Sequence, residues 1–101
     1  MTEELFEKVY YDDSFINSNY HMATFWFIGP VELLEGKYED ADACAIQIEV
    51  PIYAFNADHA DVMISPTKDG EDFDWCPYEL DEEWVEQLLS VAKASEPSWQ
   101  V

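Results

Sequence analysis

Ala43-Cys44-Ala45-Ile46-Gln47-Ile48-Glu49-Val50 is the stretch that decides the fold. Cys44, Ile46, Ile48 and Val50 alternate with Ala43, Ala45, Gln47 and Glu49, and a period of two sends these sets to opposite sides of a pleated strand. One side is apolar and the other wettable, so the strand belongs to a sheet covered on one face. Pro51 has no N–H for a ladder and marks a bulge or an edge, after which residues 52–55 are expected to continue the strand.

Toward the N-terminus, residues 20–28 are rich in β-formers and read as a second strand. Tyr20, Met22, Thr24, Trp26 and Ile28 share one face, and His21, Ala23, Phe25 and Phe27 the other. Both faces are apolar near its end. That describes a central strand covered on both sides, or one whose second face forms an interface, which leaves a homodimer open. Gly29-Pro30 punctuates it, residues 31–35 read as a shorter strand, and Glu35-Gly36-Lys37 as a tight turn. Residues 2–11 begin with Thr2 as an N-cap and Glu3 and Glu4 in the first turn, where the helix dipole favours negative charge. Leu5, Phe6 and Val9 then share a face, so a short amphipathic helix is expected, followed by turn chemistry in Asp12-Asp13-Ser14 and Asn17-Ser18-Asn19.

Toward the C-terminus, residues 61–65 read as a strand with Val62 and Ile64 inward, residues 66–72 as a hairpin connection, and residues 73–76 as the last strand, ended by Pro77. Asp81 is a good N-cap, Glu82 and Glu83 fill a first helical turn, and Leu80 is placed to staple onto Val85. Trp84, Leu88 and Val91, with Val85, Leu89 and Ala92 beside them, form an apolar stripe, and Lys93 suits the C-terminal end. The expectation is one α+β domain over residues 1–95. It has a mostly antiparallel sheet of about four to five strands, a short N-terminal helix, and an amphipathic C-terminal helix packed on the sheet. Residues 96–101, with Pro97 and Trp99, read as a tail.

The charge is the strongest signal about function. The 101 residues carry 23 acidic side chains against four lysines and no arginine, for a net charge of −19, while 49% are apolar. Such a chain has enough apolar material to fold rather than to persist as an acidic tail. Phosphate backbones and anionic lipid are bound by lysine and arginine, so no direct nucleic-acid or membrane partner is expected. No apolar run approaches the roughly 20 residues of a membrane span, and Met1-Thr2-Glu3-Glu4 is the reverse of a basic signal-peptide start, so the protein is expected in the cytoplasm. Cytoplasmic thiols are normally reduced, so Cys44 and Cys76 are expected as small hydrophobes rather than a disulfide.

Chemistry-bearing motifs are sparse. His21, His59, Cys44 and Cys76 are the residue types of a zinc site, but no two stand at ligand spacing. Asp58-His59-Ala60-Asp61 and the acids Asp69, Glu71, Asp72 and Asp74 offer ligands for a cation without fitting a calcium loop, since an EF-hand started at Asp69 would put Asp74 where glycine is required. There is no G-x-S-x-G, phosphate-binding loop or dinucleotide fingerprint, and no arginine to clamp an anionic substrate. No catalytic residue, cofactor or metal is assigned. A small metal-dependent or hydrolytic enzyme is the remoter alternative.

The acids are spread over the chain but densest over residues 69–86. Asp69, Glu71, Asp72, Asp74, Glu79, Asp81, Glu82, Glu83 and Glu86 stand there with no base, and Trp75 and Tyr78 lie among them. A face kept for solubility, or a halophilic background, would explain acidity without a partner. Small domains nevertheless manage with a net charge of about 2 to 8, and beyond that self-repulsion opposes the compact state. Strand residues two apart lie about 6.6 Å apart and helix residues i, i+4 about 6 Å, spacings comparable to those of phosphates on a nucleic acid. The expected partner is therefore a basic nucleic-acid-binding protein or nuclease, engaged by these eleven residues with Trp75 and Tyr78 as aromatic anchors. Tyr38 and Tyr53 are further anchor candidates.

In size, charge and aromatic content the chain is similar to two groups of small inhibitors. These are phage-encoded DNA-mimic proteins of the anti-CRISPR and anti-restriction type, and bacterial immunity proteins that neutralise toxin nucleases. The likeness is one of composition and transfers no functional residues. It implies a non-enzymatic inhibitor that blocks a nuclease by stoichiometric binding, with toxin immunity as the alternative.

Overall fold

The computed structural model describes residues 2–36 and 38–95. The fold is α+β: a six-stranded antiparallel sheet with a short N-terminal helix and a longer C-terminal one. In chain order these are α1 (Glu3–Phe6), β1 (Tyr10–Asn17), β2 (Met22–Gly29), β3 (Ala43–Pro51), β4 (Asp61–Lys68), β5 (Glu71–Asp72), β6 (Cys76–Pro77) and α2 (Glu82–Ser95). Strands β1 to β5 lie side by side in sequence order, and β6 also pairs with β4. The expected tail, residues 96–101, lies outside the described residues.

The alternation in β3 and β2 sets the core. Cys44, Ile46, Ile48 and Val50 are buried on the same side as Ala23, Phe25 and Phe27, whose partners across the ladder are Val50, Ile48 and Ile46. Val85, Leu88, Leu89 and Ala92 of α2 close over this face. These side chains recur every three or four residues, the spacing that puts them on one side of a helix. Trp84 is half-buried and touches Phe6 of α1 at 4.9 Å between ring centroids, while Val91, expected in the stripe, is exposed. The Asp81 carbonyl starts α2 by accepting from the Trp84 and Val85 N–H groups at 2.9 and 3.1 Å.

Several expected elements are replaced. The helix expected over residues 2–11 stops at Phe6, and Tyr10 and Tyr11 begin β1 instead. A helix of so few residues is marginal, whereas pairing with β2 satisfies the backbone of a segment rich in β-formers. Asp12, expected in a turn, sits at a bulge between Tyr11 and Asp13, which lets β1 run on to Asn17. Residues 31–35 form a 3₁₀ turn (Val31–Leu34) rather than a strand, burying the adjacent Leu33 and Leu34 together where a strand would send them to opposite faces. Glu35 and Gly36 follow with φ of 56° and 77°, the left-handed geometry of a turn. Residues 52–55 turn away at Pro51 instead of continuing β3, with the Ala54 N–H donating to the Pro51 carbonyl at 3.2 Å.

The last hairpin is tighter than expected. Strand β4 continues through Pro66 to Lys68, leaving only Asp69 and Gly70, both at positive φ, as its loop. The strand expected over residues 73–76 does not form as such: residues 73–75 lie outside any strand between β5 and β6, with Asp74 at φ 63°, and β6 includes the Pro77 expected to end it. Pro66 supplies the reason. Its carbonyl accepts from the Phe73 N–H at 3.1 Å, but it has no N–H to return to the Phe73 carbonyl. The buried Ser65 hydroxyl donates to that carbonyl instead, at 2.6 Å. Ser65→Ala is therefore expected to destabilise the domain by about 1–2 kcal/mol, read as a lower urea midpoint with an unchanged slope. An unchanged midpoint would show that the hydroxyl is not the substitute donor.

Candidate partner-binding site

The eleven residues singled out from the sequence fall into separate groups. Asp69 stands in the hairpin turn, Glu71 and Asp72 on β5, and Asp74 in the link between β5 and β6, all exposed. This group is internally tied. Thr67 Oγ1 donates to Asp72 Oδ1 at 2.9 Å, and the Tyr38 hydroxyl donates to Asp74 Oδ2 at 2.9 Å. Asp42 Oδ2 joins the cluster by accepting from the Asp69 N–H at 3.2 Å.

A second group surrounds the start of α2. Tyr78, Glu79, Asp81 and Glu82 line a groove of about 880 Å³ with Asp61, over an apolar floor that includes Val62, Leu80 and Val85. Leu80 and Val85, the expected staple pair, thus share one site. Glu83 is exposed on α2. Glu86 has a structural contact: its Oε1 accepts from the Ala57 N–H at 2.8 Å and holds the 3₁₀ turn Ala57–His59 to the helix. Trp75 and Tyr78 are half-buried, and Tyr78 packs against the core. Tyr38 is half-buried too, edge-on to Phe73 at 6.2 Å, so its ring is engaged within the fold, whereas Tyr53 is 82% exposed.

A third acidic group, around a second depression, has no counterpart in the sequence pattern. It lies on the sheet face opposite α2, where Tyr10, Trp26, Ile28 and Ala45 meet Asp12, Asp13 and Asp72 around a hollow of about 470 Å³. Of the eleven residues only Asp72 belongs to it. A neighbouring hollow of about 380 Å³ shares Trp26 and is lined by Phe15, Tyr20, Met22 and Glu49. The available signal was the two-sided apolarity of residues 20–28. Reading residues 2–11 as a helix hid the rest, because Tyr10, Asp13 and Phe15 share a face only once β1 is a strand opposite Ile28, Trp26 and Thr24.

The other polar chemistry is dispersed. Among the described residues no three His, Cys, Asp or Glu side chains gather as a metal site, and His21 and His59 are both exposed. Cys44 and Cys76 are free thiols. Among the described residues no helix is long and apolar enough to cross a membrane. No protein-family model, curated protein or solved structure matches this chain.

The surroundings of Cys44, Tyr38 and Tyr78 raise their pKa. Burial pushes the Cys44 thiol up to about 11 from an ordinary 9.0, with Glu32 adding to the rise. The Tyr38 hydroxyl is raised chiefly by its hydrogen bond to Asp74, and the Tyr78 hydroxyl chiefly by burial, with Glu35 contributing. Each group is held in its neutral form by the fold, so the stabilisation is complete below the unfolded-state pKa and is lost as pH rises through the folded one. For Cys44 that window runs from about 9 to about 11. Urea midpoints are expected to fall across it, and Cys44→Ala to flatten part of the fall. An equally steep fall in the variant would remove Cys44 from the effect.

Proposed function

We propose that this protein is a non-enzymatic inhibitor that occupies the basic nucleic-acid-binding surface of a nuclease or related enzyme, in the manner of phage anti-CRISPR and anti-restriction proteins. The observation that carries the reading is the net charge of −19, with no arginine anywhere in the chain. The two larger depressions add to it, since each is lined by several carboxylates and, among the described residues, by no lysine or histidine. A field of one sign attracts a surface of the other, speeds encounter and repels nucleic acid from the same groove. The inhibitor works by stoichiometric blockade in the cytoplasm, and no bond is made or broken.

The test has two stages. Tagged protein is used to capture partners from nuclease-treated lysate of the host at about 100 mM and about 500 mM salt, where screening shortens markedly. The recovered protein is then bound to fluorescent duplex DNA and challenged with the inhibitor. The expected result is a nucleic-acid enzyme retained at low salt and depleted at high salt, which releases its DNA near one equivalent of inhibitor. A partner that keeps its DNA at saturating inhibitor, or one held equally well at both salts, would overturn the proposal.

A further inference from the structure

We infer that the open face of the sheet, centred on Trp26, is where a lysine- and arginine-rich protein surface seats. This inference rests on the basic-partner reading above and goes further by assigning its site. The sheet has two unlike faces. One is sealed by α2, while the other carries Tyr10 at 60%, Phe15 at 57% and Tyr20 at 74% exposure around the half-buried Trp26. Single exposed aromatics are ordinary, but here they gather on two adjoining hollows that share one indole.

The chemistry of the hollows selects a cation. In the first, the rings of Tyr10 and Trp26 stand with the carboxylates of Asp12, Asp13 and Asp72. An aromatic face attracts a guanidinium or ammonium group, and carboxylates beside it supply the hydrogen-bond acceptors such a group requires. In the second, Phe15 and Tyr20 stand with Glu49. Among the described residues neither hollow has a basic side chain of its own to occupy these acceptors. Trp26 is held in place before any partner arrives, because its Nε1–H donates to Gln47 Oε1 at 3.0 Å. An anchor fixed in this way loses little side-chain freedom on binding.

The same charges argue against a second copy of the chain as occupant. A two-fold pairing through this face would bring Asp12, Asp13, Asp72 and Glu49 toward their own counterparts, with a net charge of −19 on each copy. A basic surface relieves that repulsion.

The site is tested on the full-length chain by following backbone and indole N–H signals by NMR during titration with a deca-arginine peptide. Binding should move the Trp26 indole signal and the amides of Tyr10, Phe15 and Thr24 first. The double variant Tyr10→Ser/Phe15→Ser keeps all 23 acids and alters exposed side chains only, so it should fold and bind the peptide about tenfold more weakly, while Tyr53→Ser binds as the parent does. Shifts confined to residues 69–74 and 78–86, or an unweakened double variant, would overturn the placement and leave the basic-partner reading standing. No binding of the peptide at any acidic surface would overturn both. Concentration-dependent shifts of the Trp26 signal without peptide, with a dimer in sedimentation, would assign the face to a second copy and overturn the inference.

Discussion

A single layer of apolar packing holds together a chain whose surface charges repel one another. Val85, Leu88, Leu89 and Ala92 of α2 press on Phe25, Phe27, Ile46 and Ile48, and all of these are buried. Full burial of a side chain of this size contributes roughly 1.5–3 kcal/mol, so this layer is the main force opposing the acids. It also decides what remains available for binding. Among the described residues one helix is long enough to cover one face, and no helix covers the other face of the same strands.

How much was legible beforehand depended on whether a segment's periodicity met competition. Strand β3 and helix α2 carry clean periods of two and of three to four, and they begin at Ala43 and Glu82 as expected, although β3 stops at Pro51 instead of continuing over residues 52–55. Strand β2 declared itself as well, including its two apolar faces. The N-terminal segment misled because Thr2, Glu3 and Glu4 do start a helix, with Thr2 Oγ1 accepting from the Leu5 N–H at 3.2 Å, but β2 offers the following residues a better partner than a second turn. The region around Pro66 misled differently. A proline inside a strand argued for a loop, and the buried Ser65 hydroxyl that compensates for its missing N–H is visible only in three dimensions.

The acidic site was legible as a quantity rather than as a place. Counting carboxylates identified residues 69–86 as the densest stretch, yet the fold divides them between a hairpin, a groove beside α2 and the helix surface, and turns Glu86 to the Ala57 amide. Asp12 and Asp13, remote in sequence, line one hollow with Asp72 from the far side of the sheet because β1 is a strand, with a bulge that shifts the register there. Which acids line the same hollow is set by sheet topology, and linear density does not report it.

On the proposed reading, the acidity opposes the fold and is kept for an opposite charge. The most direct measurement is folding stability by urea denaturation as NaCl is raised from about 10 to about 200 mM, a range in which screening lengths fall from about 30 Å to below 10 Å. If uncompensated carboxylates strain the folded state, the urea midpoint rises steadily with salt. A midpoint that stays level or falls would mean that the acids do not burden the fold, and the case that they are retained for a basic partner would lose its premise.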